Sequence, residues 1–547
     1  MRPVEKWCLL AMGIAYSAPV VTMMWWAAGS QHLRGILSIA LVAILLAFVV
    51  AAATRTWRRF FLAQLPLSLL AVAFVCYTLA YHMPPGRTLA LLVLMTSWEE
   101  MRGFLLLPQG ALLLALLSGW CVGYWFLAAP LRDVRIFATR VLQWSRAILA
   151  LLLPMTAYAA LDPAQLLDGI ALNPMAGSLI FIGGRLAQES RELNGSLISK
   201  TPYGAHRDGP EEVHILVLGE SARRDSWSAY GYRRPTTPYM DTLKGEAIFL
   251  QHARTDANLT ELAVPILLTG LRPDRYALEQ IHGNFFDLAH EAGYSTAWLV
   301  NNSPEISDMI GIHADRRVLP PDLNGNINGR HTLDEALLGA YRGELGRGGK
   351  ARFIGLHIMG SHWEYYARYP KAFQRFGEQS ALDQVSMVSV LMNDPKVESE
   401  LVDEYDNSLL YTDWILQQII EQARTLKVPA TVTFLSDHGE SLQLLDGTAG
   451  HGAPVYSQHE FEIPAFVWVN DAYRSMHPGI VHDLKVNADK LIRSHNLFDS
   501  LAELMGIRWP GADPRQSFVS SQFAPDTHLP YLAGGVQVAG DDGVATR

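Results

Sequence analysis

The stretch His214-Ile215-Leu216-Val217-Leu218-Gly219-Glu220-Ser221 decides how the rest of this chain is read. A short apolar run that stops at a turn signal reads as a strand buried on both faces of a parallel sheet. In an open α/β sheet, ligands gather just beyond the carboxyl ends of the strands. Glu220 therefore stands where a metal or a substrate would be met. The plainer reading is a turn carrying a solvated acid, and residues elsewhere in the chain decide between the two.

From Glu211 onward, strand-like and helix-like patterns alternate. The strand-like runs are His214–Leu218, Ala247–His252, Ser295–Val300, Arg352–His357, Thr431–Ser436 and Ala465–Val469. Helical periods fall at about 283–292, 332–346, 397–425 and 485–506. Such alternation argues for a doubly wound α/β domain over residues 211–547. Residues 371–395 read as an insertion with no functional argument attached. The polar, glycine-rich end after Pro525 is expected to be frayed.

The first part of the chain is unlike the second. Residues 1–165 are dominated by Leu, Ala, Val and Trp, and five stretches reach the length of about 20 residues that a membrane helix needs. They lie at about 7–28, 35–54, 61–82, 104–129 and 142–162. An odd number of spans puts the N-terminus and the α/β domain on opposite sides. Arg2 and Lys6, then Arg55, Arg58 and Arg59, then Arg132, Arg135 and Arg140 share one side, while the other has Arg34, Arg87 and Arg102. The positive-inside rule makes the N-terminus cytoplasmic and the α/β domain external. Residues 166–210 are a linker, in which Gly177–Leu186 is amphiphilic and reads as an interfacial helix or a plain tether. The net charge of −9 gives no basic footprint for nucleic acid. Cys8, Cys76 and Cys121 all lie in the apolar part, so the α/β domain has neither a disulfide framework nor a thiolate metal site.

A second strand, Phe434-Leu435-Ser436, runs into Asp437-His438-Gly439-Glu440-Ser441. Carboxylate and imidazole together suit zinc, or manganese where oxygen ligands dominate. His362, in Gly360-Ser361-His362, and His451, in Gly450-His451-Gly452, follow strands in polar loops. Each is either a surface histidine or a contact for phosphate or a second metal. His357 carries little weight and reads as a strand residue with a satisfied hydrogen bond. Thr260 stands at a loop-to-helix junction, at the N-cap position. A cap is its ordinary role, but a helix N-terminus also stabilises anions, and a metal there would activate the hydroxyl as a nucleophile. The loop before the fourth span carries Thr96 and Glu100 beside Trp98. Glu100 is either an interfacial anchor or a residue facing a lipid headgroup.

On these motifs the chain resembles the phosphoethanolamine transferases of Gram-negative inner membranes, members of the alkaline phosphatase and sulfatase superfamily. That family includes lipid A-modifying enzymes behind polymyxin resistance. The motifs are Gly219-Glu220-Ser221, the Thr260 to Pro265 spacing, Gly360-Ser361-His362, Tyr405-Asp406-Asn407, Ser436 to Ser441 and Gly450-His451-Gly452. The resemblance implies a zinc ion held by Glu220, Thr260, Asp437 and His438, with Thr260 as nucleophile. It implies phosphate or second-metal binding by His362 and His451, and headgroup contacts from Asn302, Glu100 and Thr96. It further implies a phosphatidylethanolamine donor, a lipopolysaccharide or periplasmic glucan acceptor, and an external, periplasmic catalytic domain. The rival assignments are a phosphoglycerol transferase using phosphatidylglycerol and a membrane-anchored phosphodiesterase. The chain departs from the lipid A enzymes in having no cysteines around Thr260, Leu92 where an asparagine is expected, Ile306 where some members carry lysine, and Trp363-Glu364 after His362. These differences bear on the acceptor more than on the reaction.

Overall fold

The computed structural model describes residues 1–28, most of 39–81, 108–136, 172–186 and 201–539, apart from 278–280, 282, 303–309, 320–331, 364, 378–394, 443–449 and 453–455. The chain divides into two compact units, Met1–Arg191 and Glu192–Arg547.

In the first unit, helices α1 (Pro3–Ala28), α2 (Trp57–Tyr81) and α3 (Pro108–Ala128) are joined by the short α4 (Pro174–Ile180). Three segments among the described residues are long and apolar enough to cross a membrane: Pro3–Trp25, Trp57–Cys76 and Leu114–Leu131. The expected span at 35–54 lies partly, and that at 142–162 wholly, outside the described residues, as do Thr96 and Glu100. Tyr16, Trp57, Phe60, Phe61 and Tyr124 pack ring against ring between α1, α2 and α3. Asn173 caps α4 by accepting from the amides of Met175 and Ala176. In the amphiphilic piece that follows, Leu179, Ile180 and Ile182 are exposed.

The second unit is built on strands β1 (Val213–Gly219), β2 (Ile248–Phe249), β3 (His252–Arg254), β4 (Ser295–Val300), β5 (Arg316–Val318), β6 (Arg352–His357), β7 (Ala430–Ser436), β8 (Ala465–Val469) and β9 (Leu491–Arg493). Seven of them form one sheet in the order β2-β8-β7-β1-β6-β4-β5. Strands β7, β1, β6, β4 and β5 are parallel, while at one edge β8 pairs antiparallel with β7 and β2 antiparallel with β8. Every residue of β1 is buried, as a central strand covered on both faces requires. Val213, Ile215 and Val217 share one core with Leu401, Leu409, Leu416 and Ile420 of helix α8 (Pro395–Arg424), and with Leu337 and Leu338 of α7 (Leu337–Leu345). Helix α6 (Phe285–Glu291) packs Phe285 and Phe286 edge-on or tilted against Phe353, and Phe286 edge-on against Trp298. Gly355 is small because a Cβ there would come within 2.6 Å of the Trp298 ring.

Several expectations need correction. The run Ala247–His252 is two strands, because the chain leaves the main sheet after Phe249 and β3 pairs with β9 instead. The helical period at 485–506 is interrupted: a helix ends at Asn487, β9 follows, and helix α9 spans Leu497–Leu504. The segment after Pro525 is not frayed over its described length. Tyr531–Ala533 and Val536–Val538 form a hairpin, and Leu532 exchanges backbone hydrogen bonds with Asp256 and Asn258.

Candidate active site

Sheet order brings the site together. Strands β7, β1, β6 and β4 are consecutive neighbours, and each delivers a polar residue at its carboxyl end: Asp437 and His438, Glu220, His357, and Asn302. The register places Gly219 opposite Ser436, and Leu218 and Val300 opposite His357. The turn after β1 is held open at Ser221, which alone of the described non-glycine residues is left-handed, with φ 55°. Its amide donates to Asp437 Oδ1 at 3.2 Å and its hydroxyl to Glu220 Oε1 at 2.8 Å. Its carbonyl accepts from the Tyr405 hydroxyl at 2.6 Å, and that hydroxyl accepts from the Arg223 amide at 2.9 Å. Gly360, at φ 50°, lets the loop after β6 pass against Glu220, where a Cβ would come within 2.9 Å of the Glu220 carbonyl oxygen.

Thr260 opens helix α5 (Thr260–Thr269). The N-cap is Leu259, with no side-chain cap, so Thr260 is the first helical residue and not the expected cap. Its hydroxyl is consequently spared from capping and turns to the strand tips. Thr260 Oγ1 lies 3.0 Å from His438 Nε2 and 3.4 and 3.3 Å from the two Glu220 oxygens. The loop before it is pinned by Asp256, a buried carboxylate that is ion-paired with Arg493 at 2.6 Å and accepts from Ser494 Oγ, the His495 amide and His495 Nδ1 at 2.8 Å each. Asn258 joins the same anchor by donating to Glu460 at 2.7 Å.

Charge and proton positions follow from burial. Glu220 and Asp437 are 1% and 0% exposed. Burial, reinforced at Glu220 by the Asp437 charge, raises both carboxyls to about 7. His438 is pushed down to about 4, by burial first and then by His451. The ring is therefore neutral. Nδ1 lies 2.8 Å from the Gly439 carbonyl, which can only accept, so the proton sits on Nδ1 and Nε2 presents a lone pair to Thr260. The His451 ring lies 4.1 Å from that of His438 and 6.1 Å from that of His362. His451 Nδ1 is 3.0 Å from Glu440 Oε2, and burial lowers His451 and raises Glu440 to about 8. His362 is held near Arg368, at 3.4 Å from its Nη2.

The donor set fits a metal ion. Asp437 Oδ2 is buried, met by no hydrogen-bond donor, and 3.5 Å from His438 Nε2. A buried carboxylate oxygen left bare is costly unless a cation compensates it. Glu220, His438 and His451 offer ligand atoms within 4.8 Å of one another, and so do Glu220, His357 and Asp437. Two carboxylates, neutral imidazole and a hydroxyl make a zinc-type site.

Glu220, Thr260, Asp437 and His438 thus lie together, with His451 beside His438 and His362 near His451, and two further residues join them. His357 is buried 4.0 Å from Glu220 Oε2 and belongs to the cluster. The Asn302 amide is directed at Glu220, at 2.7 Å. The sequence reading quotes Ser221, Tyr405 and Glu440 within motifs but gives them no role, and it passes over Asp256.

The sulfatase family profile matches residues 213–507. Phosphoethanolamine transferase EptC of Escherichia coli (strain K12) is 26% identical over 335 residues, covering 57% of this chain and 54% of that protein. Kdo(2)-lipid A phosphoethanolamine 7''-transferase of Salmonella typhimurium is 26% identical over 345 residues, covering 59% and 57%. The matches span just over half the length of these relatives. The integral membrane lipooligosaccharide phosphoethanolamine transferase A (EptA) from Neisseria meningitidis is similar in structure, with a TM-score of 0.67, 20% identity, and coverage of 94% of this chain and 97% of that one. The Zn complex of the E. coli EptC periplasmic domain matches with a TM-score of 0.52, 23% identity, and coverage of 60% and 92%. At these identities the two structures speak for the fold.

Proposed function

Because this chain belongs to the sulfatase family, we propose that it is a zinc-dependent phosphoethanolamine transferase of a Gram-negative inner membrane, with its catalytic domain in the periplasm. In this reading phosphatidylethanolamine is the donor and lipopolysaccharide or a periplasmic glucan the acceptor. The observation that carries it is the Thr260 hydroxyl, freed from capping and turned toward Glu220 and the bare Nε2 of His438. The relatives named as phosphoethanolamine transferases supply the group transferred.

Glu220, Thr260, Asp437 and His438 would hold the zinc, which supplies Lewis-acid stabilisation of the phosphoryl charge and acidifies the hydroxyl. Thr260 Oγ1 attacks the phosphorus, its bond to the diacylglycerol oxygen breaks, and diacylglycerol leaves into the bilayer. The phosphoethanolamine group stays on Thr260 until an acceptor hydroxyl or phosphate displaces it. Helix α5 begins at the nucleophile, so its unpaired amides and dipole favour the phosphoryl anion. His451, oriented by Glu440, and His362 stand where they can bind phosphoryl oxygens or move a proton. Asn302 supports Glu220 and borders the donor headgroup.

Intact-protein mass spectrometry after incubation with phosphatidylethanolamine tests the reading. A phosphoethanolamine adduct on Thr260 is expected. Turnover without an adduct, or an adduct on another residue, refutes it. Phosphatidylglycerol in place of phosphatidylethanolamine should give none.

A further inference from the structure

Asn258 lies two residues before Thr260 and is fully buried. Its backbone amide donates to the Leu532 carbonyl at 3.2 Å, its Oδ1 accepts from the Gly534 amide at 2.9 Å, and its Nδ2 donates to Glu460 Oε2 at 2.7 Å. A backbone amide can only donate, so the Gly534 contact fixes the oxygen end of the Asn258 side chain and turns the nitrogen to Glu460. Glu460 is buried and holds three groups at once. Oε2 accepts from Asn258, Oε1 accepts from the Ser457 amide at 2.7 Å, and the backbone carbonyl accepts from the Gly439 amide at 2.7 Å. Gly439 directly follows His438, and its carbonyl receives the His438 Nδ1 hydrogen bond at 2.8 Å. The packing is tight there, with no room for a Cβ on Gly439 beside the His459 carbonyl. Backbone bonds join the same two segments at Ala253 with Ile463 and at Thr255 with Phe461, and past Thr255 the Asn258 side chain carries the tie on toward Thr260.

We propose that Asn258 and Glu460 are positioning residues for the transfer, setting the 3.0 Å separation between Thr260 Oγ1 and His438 Nε2 by tying the loop before the nucleophile to the turn that holds Gly439. The proposal deepens the reading of Thr260 as nucleophile and His438 as metal ligand, and rests on it. Both side chains act through other residues: Asn258 through the peptides that lead to Thr260, Glu460 through its own carbonyl and Gly439. Both are buried, so neither is offered water in exchange, and the bond between them is costly to break. A displacement of about 1 Å at the reacting atom costs on the order of 100-fold in rate, while lipid binding, which draws on other groups, is spared. The pair therefore governs how fast Thr260 reacts and not how tightly the donor is held.

The test follows phosphoethanolamine transfer onto Thr260 in the full-length, zinc-loaded protein in detergent, by time-resolved mass spectrometry of the intact chain at varied phosphatidylethanolamine and without acceptor. Asn258→Asp keeps the acceptor for Gly534 but sets a second carboxylate against Glu460, and Glu460→Gln sets two amide donors face to face. Each should lower the maximal rate of adduct formation about 100-fold, with the half-saturating lipid concentration within about threefold of wild type. Combined, the new amide donates to the new carboxylate, so the bond returns with its polarity reversed and the rate should recover to within about tenfold of wild type. A purely structural pair would lower the thermal midpoint and leave the rate per folded chain unchanged, which overturns the proposal. So does a double variant no faster than the single ones, or a loss confined to the half-saturating concentration. If Asn258→Asp yields no folded protein, Asn258→Ser takes its place with the same expected loss, and a rate within about threefold of wild type overturns the proposal. Absence of an adduct on Thr260 in wild type refutes the nucleophile reading and this proposal with it, whereas unchanged rates in the variants overturn the positioning role alone.

Discussion

Replacing Tyr405 with phenylalanine removes one hydroxyl and should disturb the metal cluster without touching a ligand. That hydroxyl donates to the Ser221 carbonyl at 2.6 Å and accepts from the Arg223 amide at 2.9 Å, bracketing the strained residue that follows Glu220. Tyr405 and Ser221 are both fully buried, so the Ser221 carbonyl gains no water in exchange, whereas the part-buried Arg223 amide can. A buried group left unpaired costs about 1–3 kcal/mol, which sets the expected loss. For a domain of this size each kcal/mol moves the midpoint by roughly 2–4 °C, so a fall of at least about 2 °C is expected. Relaxation of Ser221 from its left-handed conformation also loosens its bonds to Glu220 Oε1 and Asp437 Oδ1. Outer contacts of this kind typically change metal affinity by about 10–100-fold. Differential scanning fluorimetry with and without zinc, alongside a competitive chelator titration, measures both effects. A midpoint within 1 °C of wild type together with unchanged zinc affinity would refute the argument that this hydroxyl holds the turn.

Thr260→Ala should abolish transfer while far-UV circular dichroism stays native, because the hydroxyl caps no helix; loss of the fold would show that its role is structural. Asp256→Asn leaves Arg493 buried opposite a neutral partner and should destabilise by about 3–5 kcal/mol, measurable by thermal unfolding. Zinc affinity should fall as pH drops below about 7, because Glu220 and Asp437 must each lose a proton to bind. The sign for stability is the reverse in metal-free protein. Carboxyls raised on folding contribute stability that is present below their ordinary values near 4 and is lost as pH rises through 7. The midpoint difference between zinc-loaded and zinc-free protein should therefore widen from pH 5.5 to pH 8, and a constant difference would count against metal binding by these acids.

What the sequence by itself determined is local. Apolar runs ending in Gly-Glu-Ser and Ser-Asp-His-Gly placed β1 and β7 with their polar tips, since burial on both faces of a strand is written in consecutive residues. The same runs placed Glu220, Asp437 and His438 at carboxyl ends, and the long apolar segments marked the first unit. What only the tertiary structure decided is adjacency. The order β7-β1-β6-β4 sets four tips side by side, and strand order depends on crossovers between segments far apart in the chain, of which no local pattern carries a record. His357 reads as an ordinary strand histidine until that order turns it toward Glu220. Thr260 reads as a cap until the helix is seen to start on it, with Leu259 outside. The glycine-rich tail reads as loose until Leu532 pairs with Asp256 and Asn258, where the approach to the nucleophile takes its shape. Hydrogen-bond partners contributed from the far end of the chain fixed that loop, and only the folded sheet could supply them.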